Sequence, residues 1–171
     1  MELASFIDDV ADFPRPGIVF KDITPLLGDA EAFSYAVDAL AEPFVGSAVS
    51  VVAGVEARGF LFGPSVAERL GAGFVPLRKP GKLPSDVIGM DYDLEYGTDR
   101  LEVRRESKLS GAHVLIVDDV LATGGTLRAA IDLVGAAGGH VAGVSVLIEL
   151  AELQGAAKVH PTLLHSLLEV S

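Results

Sequence analysis

Val114–Thr126 reads VLIVDDVLATGGT. An apolar run ends in two adjacent acids, Asp118 and Asp119. A short stretch of small and hydroxylated residues follows: Ala122, Thr123, Gly124, Gly125 and Thr126. From Gly125 to Ala137 the apolar residues recur at helical spacing, so the segment is a buried strand that turns into a helix. Small residues at such a turn let backbone N–H groups approach an anion closely. The two threonine hydroxyls add donors, and the helix N-terminus adds unpaired N–H groups and the positive end of its dipole. The loop therefore suits one phosphate. Carboxylates set directly against a phosphate would repel it. The acid pair is better placed one step away, on sugar hydroxyls or on water bound to Mg²⁺. Neither G-x-x-x-x-G-K-[ST] nor G-x-G-x-x-G occurs in the chain. It is thus neither a nucleoside-triphosphate P-loop nor a dinucleotide fingerprint.

Three other stretches share the character of the strand: Ala48–Val55, Gly73–Leu77 and Val141–Leu147. Each is short, Val-rich or apolar, and bounded by glycine or polar residues. Near-continuous apolar strands imply a sheet covered on both faces. Helical patterns at Asp29–Pro43, Phe60–Leu70 and Gly125–Ala137 lie between them. Alternating strands and helices predict an α/β fold, a parallel sheet flanked by helices, in a single domain over 1–171. Leu163–Val170 alternates loosely and reads as an edge strand or a helix.

Two segments break the alternation. Phe13–Leu27 (FPRPGIVFKDITPLL) holds three prolines and reads as an ordered cap, not a core strand. It gives a small N-terminal hood over residues 1–30. Lys79–Gly111 is polar and charged, with a hairpin expected around Met90–Val103. It reads as a mobile lid, 79–111, over a site at the strand ends.

Basic residues are scarce, with 13 Lys and Arg against 24 Asp and Glu. Three of the 13 cluster in LRKPGKLP, as Arg78, Lys79 and Lys82, directly after a strand. In an acidic chain this cluster points to a polyanion such as pyrophosphate. Arg58, in GVEARGFLF (Gly54–Phe62), follows another strand and could reach the same anion from the other side.

The acid pair followed by ATGGT resembles the phosphoribosyl pyrophosphate (PRPP) signature of the type I phosphoribosyltransferases. FPRPGIVFKDITPLL, GFLFGP, RKPGKLP and YDLEYG (Tyr92–Gly97) narrow the likeness to the adenine phosphoribosyltransferases, over about Phe13 to Leu150. The resemblance implies the type I phosphoribosyltransferase fold and transfer of the phosphoribosyl group of PRPP to adenine, giving AMP and pyrophosphate. It implies that Ala122–Thr126 cradle the 5′-phosphate and that Asp118 and Asp119 serve the ribose hydroxyls. Arg58, Arg78, Lys79 and Lys82 would hold the pyrophosphate, with Mg²⁺ carried by PRPP and no metal held directly by the protein. Val19, Phe20, Lys21 and Leu150 would bind adenine, the backbone near Val19 reading its edge, Phe20 stacked on the ring and Leu150 an apolar wall. Glu95, in the lid, would handle a purine ring proton. The Glu56–Ala57 peptide would be cis. A homodimer and a cytoplasmic setting are also implied. Two other readings keep the PRPP site. One exchanges adenine for hypoxanthine, guanine or xanthine, and the Phe13–Leu27 segment speaks against it. The other is a PRPP-sensing regulator without catalysis.

Composition bounds the rest. The chain has 171 residues, half of them hydrophobic, and a net charge of −11. That charge opposes non-specific binding to nucleic acid or to anionic membranes, so neither is expected as a partner. No cysteine is present, which excludes thiol nucleophiles and thiolate metal sites. Met1–Asp12 shows no basic, apolar pattern of a signal peptide. The four histidines lack metal-ligand spacing.

Overall fold

A computed structural model describes residues 1–84, 86–93 and 97–170. From the N-terminus come an antiparallel ribbon, β1 (Asp8–Ala11) with β2 (Val19–Asp22), and two helices, α1 (Thr24–Gly28) and α2 (Ala30–Ala41). Next are β3 (Val51–Val55), α3 (Gly59–Leu70) and β4 (Gly73–Leu77), then an antiparallel hairpin of β5 (Val87–Asp93) and β6 (Thr98–Arg104). The chain continues as β7 (His113–Leu121), α4 (Gly125–Ala136), β8 (His140–Leu150), α5 (Ala156–Val159) and β9 (Leu164–Val170). Strands β4-β3-β7-β8-β9 form one sheet, and every pairing in it is parallel.

Period-two alternation explains the two cores. In β3, Val51, Ala53 and Val55 face one side and Val52 the other; in β7, Val114 and Ile116 oppose Leu115 and Val117. One face is covered by α4, α5 and the hairpin through Leu127, Leu133, Val159 and Leu101. The other is covered by α1, α2 and α3 through Leu26, Leu40, Phe62 and Val66. Such two-sided burial is what near-continuous apolar strands require. Helix ends follow local chemistry. Asp29 caps α2 by accepting from the Glu31 and Ala32 N–H groups at 3.0 and 2.9 Å. Gly71 closes α3 in the left-handed region at φ 64°, where a Cβ would be strained.

Several expectations are corrected. The strand expected at Ala48–Val55 starts at Val51, although Ser50 still bonds His113 O and Gly73 N. The strand expected at Val141–Leu147 runs from His140 to Leu150. The C-terminal segment is a parallel edge strand, not a helix. Phe13–Leu27 is not a cap alone: its Val19–Asp22 stretch pairs with Asp8–Ala11. The largest correction concerns the lid. Its hairpin is longer than Met90–Val103 and lies on α4. Ile88, Met90, Tyr92, Leu101 and Val103 alternate inward and join the core, while charged residues alternate outward. Arg78 and Glu102 exchange two backbone hydrogen bonds at 2.7 and 2.8 Å, which fasten β6 to the end of β4. Movement of 79–111 as a unit would unpack this core, so the base of the segment belongs to the scaffold.

Candidate active site

β3 and β7 are neighbours in the sheet, so the loops after their carboxyl ends lie side by side. Open α/β sheets place ligands at such strand ends. A cleft of about 290 Å³ opens there, lined by Glu56, Ala57, Arg58, Lys79 and residues 118–127. Arg58 caps α3 and Gly124 caps α4, in both cases without a side-chain hydrogen bond to the helix. Two helix N-termini therefore border one cleft, although the Phe60 and Leu61 N–H groups of α3 are already bonded to Ala57 O and Arg58 O.

Ala122–Thr126 form the turn into α4. The helix starts at Gly125 with Gly124 as its cap, so Thr123 is not the capping residue. Gly124 sits at φ +80°, and a Cβ there would lie 2.5 Å from Gly155 O. Gly125 backs onto the end of β5, where a Cβ would come 3.1 Å from Asp93 O. The two glycines serve different needs: the first is conformational and steric, the second is close packing of the hairpin on the helix. All five residues line the cleft.

Asp118 and Asp119 lie in the buried part of β7 and are 8% and 3% exposed. Asp118 accepts a hydrogen bond from the Asp119 N–H at 2.9 Å. Gly59 makes room for it, since a Cβ there would be 2.6 Å from Val117 O and 3.2 Å from Asp118 Oδ1. Burial, then the neighbouring Asp119 charge, pushes the Asp118 carboxyl well above its ordinary range. Burial also raises Asp119, against the opposing pull of Arg58. The Arg58 Nε lies 3.0 Å from Asp119 Oδ2, yet that oxygen accepts no aligned hydrogen bond. Its charge is met by the Arg58 guanidinium, and Asp119 itself lines the cleft.

The basic residues divide. Arg58 and Lys79 line the cleft. Lys79 Nζ bonds the Asp99 carboxylate and, at 2.7 Å, the Tyr92 hydroxyl of the hairpin. Burial would lower its pKa, but the bonds to Asp99 and Tyr92 together leave it raised, so it stays a cation. Arg78 lies beside the cleft, not in its lining. It donates to Glu56 at 2.9 Å and covers the Phe60 ring at 5.7 Å. The hydrogen bond from Arg78 holds the Glu56 carboxyl below its usual range, helped by the Lys79 N–H at 2.7 Å. Lys82 is exposed on the following turn. The Glu56–Ala57 peptide is cis, as are Phe13–Pro14 and His160–Pro161.

The four residues expected to bind adenine are split between two cavities. Phe20 lines a cavity with Phe13, Asp22, Leu27, Arg58 and Leu61, and Arg58 sits 5.1 Å over its ring. Val19, Lys21 and Leu150 line another with Asp9, Ile18 and Val170. Strand alternation in β2 causes the split, because Phe20 points away from its two neighbours. Lys21 also bonds Asp9 at 2.7 Å, a partner that sequence reading did not suggest. Glu95, expected as the proton-handling residue, lies outside the described residues, as does Tyr96. Sequence reading missed Gly59, Tyr92, Asp99 and Gly155. The first follows Arg58 in the quoted motif and was legible there; the others act through contacts distant in sequence. Among the described residues no group of three or more His, Asp or Glu side chains could hold a metal, and no helix is long and apolar enough to cross a membrane.

Known proteins resemble this chain in sequence and fold. The family model for the phosphoribosyl transferase domain matches residues 27–163. The adenine phosphoribosyltransferase of Thermobifida fusca is 56% identical over 165 residues, covering 96% of this chain and 94% of that one. That of Methylococcus capsulatus is 53% identical, with 98% of each chain covered. The crystal structure of adenine phosphoribosyltransferase from Thermoanaerobacter pseudethanolicus superposes with a TM-score of 0.95 at 48% identity, covering 99% of this chain and 98% of that one. The Saccharomyces cerevisiae enzyme, complexed with an imino-altritol bisphosphate and adenine, gives a TM-score of 0.92 at 37% identity over 98% and 97% of the two chains. With a cradle, an acid pair and a cationic rim at the ends of one parallel sheet, and relatives that match nearly the whole length, the chain belongs to the adenine phosphoribosyltransferases, the purine-salvage enzymes that make AMP from adenine and PRPP.

Proposed function

We propose that this cleft binds PRPP with its 5′-phosphate on Ala122–Thr126, its ribose on Asp118 and Asp119, and its pyrophosphate toward Arg58 and Lys79. The buried acid pair and the Ala122–Thr126 turn at the start of α4, lining one cleft together, carry the reading. An anion needs the N-termini and a hydroxyl needs the carboxylate, and PRPP brings both. Adenine would enter from the hood, against Phe20 or against the Val19–Lys21–Leu150 cavity.

In the reaction, the bond from the anomeric carbon to pyrophosphate breaks and a bond to N9 of adenine forms. The sugar carbon becomes electron-poor, and the Asp pair lies where that charge develops. Arg58 and Lys79 meet the charge growing on pyrophosphate. Arg78 is pinned by Glu56 and would need to leave it to contribute, while Lys82 is free to turn inward. Glu95 would accept the proton that N9 loses. Holding the three parts in register supplies much of the rate. The donor set fits a substrate-borne Mg²⁺, because one or two carboxylates with phosphate oxygens are its usual ligands. Asp118 and Asp119 would hold it through water bound to the ion, and when bound it would supply charge neutralisation on the pyrophosphate. The family resemblance further supports a homodimer and a cytoplasmic setting.

Arg58→Gln removes a charge shared by Asp119 and the cleft. We expect KM for PRPP to rise about tenfold, the loss of one charge-assisted hydrogen bond, with KM for adenine changed much less. Steady-state kinetics with each substrate varied would check this. The function itself is tested by base competition. The protein would receive PRPP, Mg²⁺ and equal adenine, hypoxanthine, guanine and xanthine, and the nucleotides would be separated. AMP alone is expected. Another nucleotide would keep the PRPP site and overturn the base, and no product with PRPP still bound would favour the sensor.

A further inference from the structure

We propose that Gly155 is a positioning residue for PRPP: it sets the shape of the phosphate cradle from outside the cradle's own sequence. The inference rests on the reading of Ala122–Thr126 as the 5′-phosphate site. Gly155 is buried and follows β8 by five residues. A Cβ on it would lie 2.2 Å from Ala122 O, 2.8 Å from the Leu121 side chain and 2.9 Å from Gly124 N. In the other direction, a Cβ on Gly124 would meet Gly155 O at 2.5 Å. The two backbones are therefore in mutual contact, and neither has room for a side chain.

The glycine is required for space, not for conformation. Its φ and ψ are −62° and −28°, which any residue adopts. The constraint comes from what anchors it on either side. Upstream, β8 ends at Leu150 and a 3-10 turn (Ala151–Leu153) leads to Gln154, itself held at φ 53°. Downstream, α5 packs on α4 through Val159, which is fully buried. Gly155 is wedged between these anchors and the carbonyl of the first cradle residue. The backbone groups that would face the phosphate are thereby held from behind. A displacement of about 1 Å in such a group can cost on the order of a hundredfold in rate.

Gly155→Ala is expected to raise KM for PRPP and Kd for AMP at least tenfold, a floor set below the roughly hundredfold cost of a 1 Å displacement. Affinity for adenine, which has no phosphate, should stay within about twofold, the scatter of a site left untouched. Val159→Ala serves as the control for α5: it should lower Tm and leave both affinities alone. Thr126→Ala tests the cradle itself. If Thr126→Ala weakens AMP and Gly155→Ala does not, the Gly155 proposal fails while the cradle stands. If neither weakens AMP, the cradle reading fails first. Should Gly155→Ala not fold, hydrogen exchange on the unmodified protein decides. Saturating AMP should slow exchange in 156–159 as well as in 121–126, and adenine alone should not. Unchanged exchange in 156–159 with AMP bound would overturn the coupling.

Discussion

Asp118→Asn and Asp119→Asn are each expected to lower kcat/KM by about 10²–10³, the scale for removing one preorganised group at a charged transition state, while making the folded protein more stable. The activity loss follows from position. Both acids line the cleft beside the cradle, where ribose hydroxyls would donate to them. The stability gain follows from burial. Both groups are held above their ordinary pKa, Asp118 the more strongly, by desolvation and, for Asp118, the adjacent charge. A carboxyl raised in the folded state stabilises most below its unfolded pKa of about 3.9. That stability is lost as pH rises through the raised folded value. At neutral pH the pair is therefore a burden on the fold, and a neutral amide relieves it. The Tm of Asp118→Asn should exceed that of the parent at pH 7, by about 2–4 °C for each kcal/mol relieved. The gain should vanish at a pH below 3.9. Thermal melts at both pH values, with kinetics on the same samples, check the pair of effects. A merely structural Asp pair would instead lose stability and keep its turnover. The double variant should fall short of the product of the singles, because the residues touch.

Much of this was readable from residues 114–126, because the chemistry there is local. Strand, acids, cradle and helix follow one another without a break, so their order in sequence is their order in space. Strand pairing was less legible. That β3 and β7 are neighbours places Arg58 against Asp119, yet 60 residues separate those side chains and no local pattern encodes the contact. The lid shows why composition misleads. Residues 87–104 are rich in charge, but alternation puts Ile88, Met90, Tyr92, Leu101 and Val103 on one face. A polar average hid a buried face. Phe20 and its neighbours show the same effect reversed. Adjacent positions in β2 share a sequence motif, and the strand period sends their side chains to opposite sides. The Arg78–Glu56 pair was hidden for another reason. A basic cluster in an acidic chain points to a polyanion, but the chain's own carboxylates reach part of it first.

Gly124→Ala should be the most damaging single-methyl change in the cradle, lowering kcat/KM by about 10² and stability by about 1–3 kcal/mol. Two separate costs add. At φ +80° an alanine sits in a region that L-residues rarely occupy, which strains the backbone whatever the space. The new methyl would also meet the Gly155 carbonyl at 2.5 Å, and that carbonyl is backbone held by the 3-10 turn on one side and α5 on the other. Neither neighbour is the free end of a flexible side chain, so the loop itself must move. That loop sets the cap of α4, where the free N–H groups of the first turn open on the cleft. KM for PRPP should rise with Tm falling, and kcat should fall further as the anomeric carbon loses register with the base. The contrast with Gly71→Ala isolates the site. Gly71 also has a positive φ, of 64°, but nothing lies within 4 Å of its Cβ position and it is remote from the cleft. It should bear the conformational cost alone: a lower Tm with KM and kcat unchanged. If both variants lose stability equally and neither loses affinity for PRPP, the turn at Gly124 is a helix cap and no more, and the phosphate must bind elsewhere.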